Sequence, residues 1–285
     1  MTYVIHGASG AQGGPVLAAL KSSGKPVVAV GRQPGALGDG TPVIGADYHS
    51  IEQITGLYQR ASGVFVHLPI GSPDEQRTYA SNIAAALAQA RPPRVVISTS
   101  GHIIDRPNSV LQQPRDGAIP SLLRELAEAG LNHVAIAPRL FLENLLLMLG
   151  GIRSEHKLRY PLRADIPVSW ASHLDVAEAV NNLFDRIDIG GVIAIGQHPG
   201  ITGHDLAQAF SDHLGKTVVY DALAPEQFGA SIAQYVGEGA AAGIAAFYTA
   251  INSQSDHSFE ITQSAQQRLG LTPRTTAEWL NKLTV

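Results

Sequence analysis

His6-Gly7-Ala8-Ser9-Gly10-Ala11-Gln12-Gly13-Gly14 is the stretch whose reading decides the fold. It follows a β-branched run, Thr2–His6, and leads into a helical stretch, Ala11–Ser23, that Gly24 stops. The glycines fall as G-x-x-G-x-x-G between strand and helix. Gly7 permits the tight turn off the strand, Gly10 lets a pyrophosphate approach the backbone, and Gly13 lets the helix sit close to the sheet. Helix N-terminal N–H groups and the positive dipole end then face the phosphates. Ser9, Ala11 and Gln12, between the glycines, belong to the same candidate phosphate loop. A purely structural turn is the competing reading, and further βα units behind the loop weigh against it.

Those units run outward in order. Strands are expected over Pro26–Arg32, Thr41–Asp47, Gly63–Pro69, Arg94–Ser100 and His133–Arg139. Ser50-Ile-Glu-Gln53 has the form of a capping box and should open a helix through Arg60. Ser72-Pro-Asp-Glu75 combines a cap, a proline where helices tolerate it and two acids at the positive end, opening a helix to about Ala90. Another helix spans Ser121–Ala129 and ends at Gly130. This alternation predicts an α/β protein with a Rossmann-type doubly wound parallel sheet. The near-continuous runs Val27–Val30 and Val95–Ile97 suit strands buried on both faces.

Beyond Gly150 the pattern changes. Short strands are expected at Ile166–Ser172, Gly191–Gly196 and Lys216–Leu223, and helices dominate after Ala224. Thr202-Gly-His-Asp205 should cap a helix ending at Leu214-Gly215, and Thr275-x-x-Glu278 the last one. Residues 1–150 therefore read as a dinucleotide-binding domain. Residues 151–285 read as a smaller, mostly helical substrate lobe that shares a core with it, since no linker composition separates them.

Composition narrows the function. Among 285 residues, 45% are hydrophobic and only 15% charged, which argues against disorder. The net charge of −4, without any basic run, gives no expectation of nucleic-acid binding. No cysteine is present, and none of the eleven histidines is spaced H-x-x-x-H, so no metal site is expected. The longest apolar tract, Gly239–Ile251, is shorter than the roughly 18 residues of a spanning helix. The start of the chain lacks signal-peptide character, and the expected location is cytoplasmic. A small molecule is the expected partner, neither nucleic acid nor membrane is, and a homodimer is left open.

The end of the second strand chooses the dinucleotide. An NAD site places Asp or Glu there to bond the ribose 2′-hydroxyl. This chain has Val30-Gly31-Arg32-Gln33. Arg32 can make a forked, charge-assisted contact to a 2′-phosphate, so NADP(H) is expected. Two other readings of Arg32 remain: a solvated turn residue, or a cation stacked on adenine. Asp47 could bond adenine, and His67-Leu68-Pro69 could wall the adenosine; ordinary turn roles would equally explain them.

With these residues in view, the chain resembles the NmrA-like family of atypical short-chain dehydrogenases/reductases, and within it the bacterial NADPH-dependent quinone and triphenylmethane-dye reductases. The likeness rests on Gly7–Gly13, Gly31-Arg32, Asp47-Tyr48, Ala137-Pro138-Arg139-Leu140-Phe141-Leu142-Glu143-Asn144, and Pro167-Val168-Ser169-Trp170 followed by Asp175-Val176-Ala177. It implies that Gly7, Gly10 and Gly13 hold the pyrophosphate and Arg32 the 2′-phosphate. Ser98, Thr99 and the residues to Gly101, with Pro138, would border the nicotinamide. The Leu140–Leu149 run and the C-terminal helices would roof the substrate.

One departure matters. Short-chain dehydrogenases use Tyr-x-x-x-Lys, the lysine lowering the tyrosine pKa for proton transfer. The fourth residue after the eight tyrosines is Gly7, Glu52, Ser62, Ile83, Ala164, Ala224, Gly239 or Asn252, never lysine. No lysine falls between Lys25 and Lys157 either. Ser100 and His102 follow the strand near the expected nicotinamide and are the candidate catalytic residues, His102 as a proton donor. A Ser100/His102/Asp105 hydrolase triad is disfavoured by the tight spacing and the missing G-x-S-x-G. Arg139, Phe141, Asn144, Tyr235 and Tyr248 are the candidate substrate contacts, with a local ion pair as the competing role of Arg139 and core packing that of the tyrosines. The expected function is NADPH-dependent hydride transfer to a planar, electron-poor acceptor such as a quinone or dye. The alternatives are a dinucleotide-binding sensor without turnover and a biosynthetic ketone or imine reductase.

Overall fold

The computed structural model describes residues 2–283. β1 (Thr2–His6) runs into the glycine loop and α1 (Gly13–Ser22) leaves it. Then come β2 (Val27–Gly31), the short β3 (Gly35–Ala36), β4 (Pro42–Gly45), α2 (Ile51–Tyr58), β5 (Ala61–Val66), α3 (Pro73–Ala90), β6 (Val95–Ser98), α4 (Ala118–Glu128) and β7 (His133–Pro138). The capping chemistry explains several helix starts. Ser72 Oγ accepts from the Glu75 N–H while Glu75 accepts from the Ser72 N–H, and α3 runs to Ala90. At α2 only the Ser50 half of the expected box forms. α4 starts three residues earlier than the sequence suggests, because Pro120 sits in its first turn, where no intrahelical N–H is needed.

The sheet order is β11-β7-β6-β5-β1-β2-β4-β3, and every neighbouring pair is parallel except β3 with β4. From β1 the chain winds outward through β2 and β4, then crosses back to β5 on the other side of β1. That reversal between β1 and β5 is the topological switch point, where a doubly wound sheet opens a crevice at its carboxyl edge. One core lies under α1 and α6, with Ile5, Phe65, Val96 and Ile136 pointing into it. The opposite core lies under α2, α3 and α4, with Val4, Val64, Val66 and Val95. Successive residues of one strand thus feed opposite layers, as burial on both faces requires.

After β7 the chain forms β8 (Leu140–Phe141), a 3-10 segment over Leu142–Met148, α5 (Leu149–Glu155), β9 (Lys157–Tyr160) and β10 (Trp170–Ala171). It continues through α6 (His173–Asp185), β11 (Gly191–Ile195), α7 (Gly203–Leu214), β12 (Val219–Ala222), α8 (Pro225–Val236), α9 (Glu238–Asn252), α10 (Ala265–Leu269) and α11 (Thr276–Leu280). Thr202–Asp205 and Thr275–Glu278 form the expected boxes, and Gly215 ends α7 in the left-handed conformation. β11 pairs in parallel with β7, and α6 packs beside α1, so residues 173–195 belong to the layers of the large sheet. The remaining segments build a third core around Tyr160, Trp170, Phe210, Phe228 and Trp279. The strand expected over Ile166–Ser172 shrinks to β10. Pro167 has no N–H to give, and Val168 and Ser169 bond instead to Ile201 and His257 in loops. Among the described residues no helix is long and apolar enough to cross a membrane.

Candidate dinucleotide and acceptor site

The glycine loop closes on itself at the end of β1. The Gly10 N–H donates to Gly7 O at 2.8 Å, and Ala8 N–H donates to Val30 O at 3.1 Å, pinning the loop to β2. Gly7 has φ +64°, a conformation that a side chain disfavours. A Cβ on Gly13 would lie 2.2 Å from Gly7 O, which no adjustment of a side chain could relieve. A Cβ on Gly10 would lie 3.1 Å from the same oxygen, tight but not prohibitive. The three glycines therefore differ in role. Gly13 lets α1 touch the loop, Gly7 makes the turn, and Gly10 leaves its outer face bare.

Below the loop, the His6 side chain is fully buried and bonded on both nitrogens. Nδ1 is 2.7 Å from the Tyr48 hydroxyl and Nε2 is 2.8 Å from that of Tyr58. Burial pushes its pKa down to about 3, so the ring is neutral, accepting from one tyrosine and donating to the other. This ties β1 to α2 and to the turn that carries Asp47.

Arg32, at the end of β2, lines a cleft of about 460 Å³ with Pro34, Gly45, Ala46, Asp47, Tyr48, His49 and Tyr79. Ser9 reaches toward the same edge, its Oγ 3.9 Å from where a Gly31 Cβ would stand. Asp47 is in this cleft and also accepts the His49 N–H at 2.9 Å, so both roles foreseen for it are compatible. The sequence alone did not single out His49 and Tyr79. Their rings meet edge to face at 5.2 Å across the turn and α3, a pairing that only the fold creates.

Gln12 is the hub of the other half. Its side chain is buried, taking the Ser98 hydroxyl at 2.7 Å on Oε1 and placing Nε2 3.0 Å from Ser100 Oγ and 3.3 Å from His67 Nε2. Ser100 Oγ and His67 Nε2 are 3.2 Å apart. One glutamine thus joins the ends of β1, β5 and β6 across the switch point. Ser100 itself is held at φ +53°. Thr99 is buried with an unpartnered Oγ1, Pro138 is buried at the end of β7, Leu68 packs into the core, and Pro69 is half-buried beside it. His102 donates from Nδ1 to Thr99 O at 2.9 Å, leaving Nε2 unbonded.

Past the end of β7, Phe141 is buried and its ring lies 4.5 Å from that of His173. Asn144 lies beside the Tyr160 hydroxyl. Three candidate substrate contacts stand elsewhere. Arg139 is fully buried and its Nη2 donates to Asp105 at 2.7 Å, while Nε donates to Ser258 O at 3.2 Å: a local ion pair. Tyr248 is inside the third core with its hydroxyl 2.6 Å from that of Tyr160. Tyr235, on α8, is 80% exposed to solvent. An amphipathic reading of α8 and α9 cannot rank their aromatics, because each helix buries only one edge.

Two comparisons bear on this geometry. The sequence model of the NmrA-like family matches residues 1–280. No curated protein matches the chain. Among solved structures, a nucleoside-diphosphate-sugar epimerase from Staphylococcus aureus superposes with a TM-score of 0.80 at 18% identity, covering 99% of this chain and 100% of its own. A Citrobacter sp. triphenylmethane reductase complexed with NADP(H) gives 0.78 at 17%, covering 99% of both chains. The Escherichia coli NADPH-dependent quinone oxidoreductase complexed with NADPH gives 0.76 at 19%, again covering 99% of both. At such identities these likenesses establish the shared fold.

Proposed function

The chain belongs to the NmrA-like family, and from that premise we propose that it is an NADPH-dependent reductase of a planar, electron-poor small molecule such as a quinone or a cationic dye. The observation that carries the proposal is a glycine loop whose outer face is bare at Gly10, with a cleft lined by Arg32 at the end of β2, where the sequence Val30-Gly31-Arg32-Gln33 offers a guanidinium and no carboxylate. A carboxylate there would suit a ribose hydroxyl; a guanidinium suits a 2′-phosphate. The similar quinone and dye reductases carry NADPH and NADP(H), which agrees with that choice.

In this reading Gly7, Gly10 and Gly13 with Ser9, Ala11 and Gln12 hold the diphosphate at the N-terminus of α1. Arg32 takes the 2′-phosphate, Asp47 faces adenine, and His67, Leu68 and Pro69 wall the adenosine side. Ser98, Thr99 and Pro138 border the nicotinamide, while Ser100, His102, Phe141 and Asn144 face the acceptor. The bound cofactor supplies a hydride. The protein's part in the hydride step is to stack a flat acceptor in register and exclude water, since the anion a quinone forms, or the neutral product of a cationic dye, is already stabilised when the hydride arrives. A ketone would need prompt protonation of an alkoxide, and the chain has no Tyr-x-x-x-Lys to supply it. The test is steady-state NADPH oxidation against a panel of quinones and triarylmethane dyes. Turnover supports the reductase; tight cofactor binding without turnover of any acceptor would favour a sensor.

A further inference from the structure

The polar clusters at the sheet's carboxyl edge leave one feature unused by this reading, the pair His173–Glu143. α6 lies alongside α1 and runs the same way. At their far ends Ser23 and Lys25 bond to Asn181, and Lys25 also pairs with Asp185 at 2.8 Å. Their N-termini therefore sit side by side at the carboxyl edge, with His173 as the first residue of α6. The His173 ring rests on Phe141, three residues past Pro138. It is also close enough to His67 to disfavour a charge on that ring, whose pKa burial pushes down to about 4, with His173 and His102 adding to the effect. His173 thus stands between the glycine-loop side and the strand end expected to border the nicotinamide.

Glu143 gives this imidazole a partner the other two lack. One carboxylate oxygen accepts the Ser172 hydroxyl at 2.8 Å and the His173 N–H at 3.0 Å. The other, Oε2, is buried with no hydrogen-bond partner and lies 3.8 Å from His173 Nδ1. His102, by contrast, spends Nδ1 on a backbone carbonyl. We propose that His173 is the proton donor to a reduced quinone in this site and that Glu143 is the residue that positions and charges it. The proposal rests on the reductase reading above. A quinone that has received a hydride is a phenolate. Its new O–H bond forms as the Nε2–H bond of the imidazolium breaks, and the neutral ring takes its next proton from water. Burial is the larger influence and holds the His173 pKa below the ordinary imidazole value, which makes its imidazolium a stronger acid; the Glu143 carboxylate offsets part of that and favours the charged ring. The other groups in play are His67 across the crevice, His102 behind it, and Asp175 on the same helix, whose carboxylate is engaged by Arg274 and the Ser172 N–H.

The first test needs neither cofactor nor turnover. In an NMR titration of the imidazoles of the free protein, Glu143→Gln lowers the pKa of His173, because a carboxylate that stabilised the charged ring is gone. The second test compares two acceptors. A cationic triarylmethane dye becomes neutral on taking a hydride and needs no proton. His173→Gln therefore lowers the ratio of quinone to dye turnover at least tenfold, and in Glu143→Gln quinone turnover falls off at lower pH than in the wild type. An unmoved His173 titration in Glu143→Gln, or an unchanged quinone-to-dye ratio in His173→Gln, overturns the assignment. A wild-type protein that reduces neither acceptor overturns the reductase reading instead, and this proposal with it.

Discussion

At the scale of single residues, the proposed preference for NADPH rests on Arg32. Replacing it by alanine removes a charge-assisted contact and should weaken NADPH binding by about 1.5–3 kcal/mol while leaving NADH nearly unchanged. Parallel calorimetric titrations of the two dinucleotides check this, and equal losses for both would remove the 2′-phosphate from Arg32. The glycines make a sharper pair. Gly10→Val should abolish dinucleotide binding and leave the melting temperature close to wild type, since its Cβ meets one carbonyl at 3.1 Å and otherwise points outward. Gly13→Ala should instead destabilise the fold itself, because its Cβ would be 2.2 Å from Gly7 O. A thermal melt and a binding titration on each variant separate the two roles; a stable Gly13→Ala protein would contradict the close approach of α1. The sequence showed all three glycines by spacing alone but could not order them, because the order depends on which backbone oxygen each faces.

At the scale of elements, what was legible is what local chemistry decides. Ser72/Glu75, Thr202/Asp205 and Thr275/Glu278 close their boxes where the spacing placed them, since both partners lie within one turn. Ser72→Ala should accordingly cost about 1 kcal/mol of stability, read as a lower denaturation midpoint in urea. An unchanged midpoint would mean that the start of α3 is held by its packing on α2 and α4 alone. Elements whose partners lie far away in sequence were less legible. β10 shortens because its neighbours are loops at Ile201 and His257, and Pro167 beside Ile166 is the one local sign of it. Tyr235 and Tyr248, thirteen residues apart on one helical hairpin, end in solvent and in the core, a difference fixed by how α8 and α9 lean on Tyr160 through Phe228 and Tyr248. Arg139 likewise turns inward to Asp105, where the chain's return brings Ser258 O within reach of its Nε.

At the scale of the whole molecule, the candidate site is an assembly of strand ends: Gln12 from the β1 loop, His67 after β5, Ser98 and Ser100 from β6, and Pro138 from β7, gathered where the winding reverses. The same architecture buries neutral histidines, with consequences for stability. His6 and His257 are pushed down to about 3, and His67 to about 4, by burial first. Their folded pKa values lie below the unfolded value near 6.5, so the unfolded chain binds more protons between these limits. Stability from these groups is complete above pH 6.5 and is lost as the pH falls toward 3 to 4. Between pH 6.5 and 5, where most carboxylates are ionised in both states, the melting temperature should already decline. The decline should be shallower in His6→Gln, whose side chain can bond both tyrosines without charging; equal slopes would mean that His6 does not set the dependence. The central claim concerns the crevice as a working whole, and it is tested most directly by NADPH oxidation in the presence of a quinone, with NADH run alongside. The account predicts multiple turnovers with NADPH, clearly favoured over NADH and abolished in Gly10→Val; an NADPH complex that forms tightly yet reduces neither quinone nor dye would contradict it.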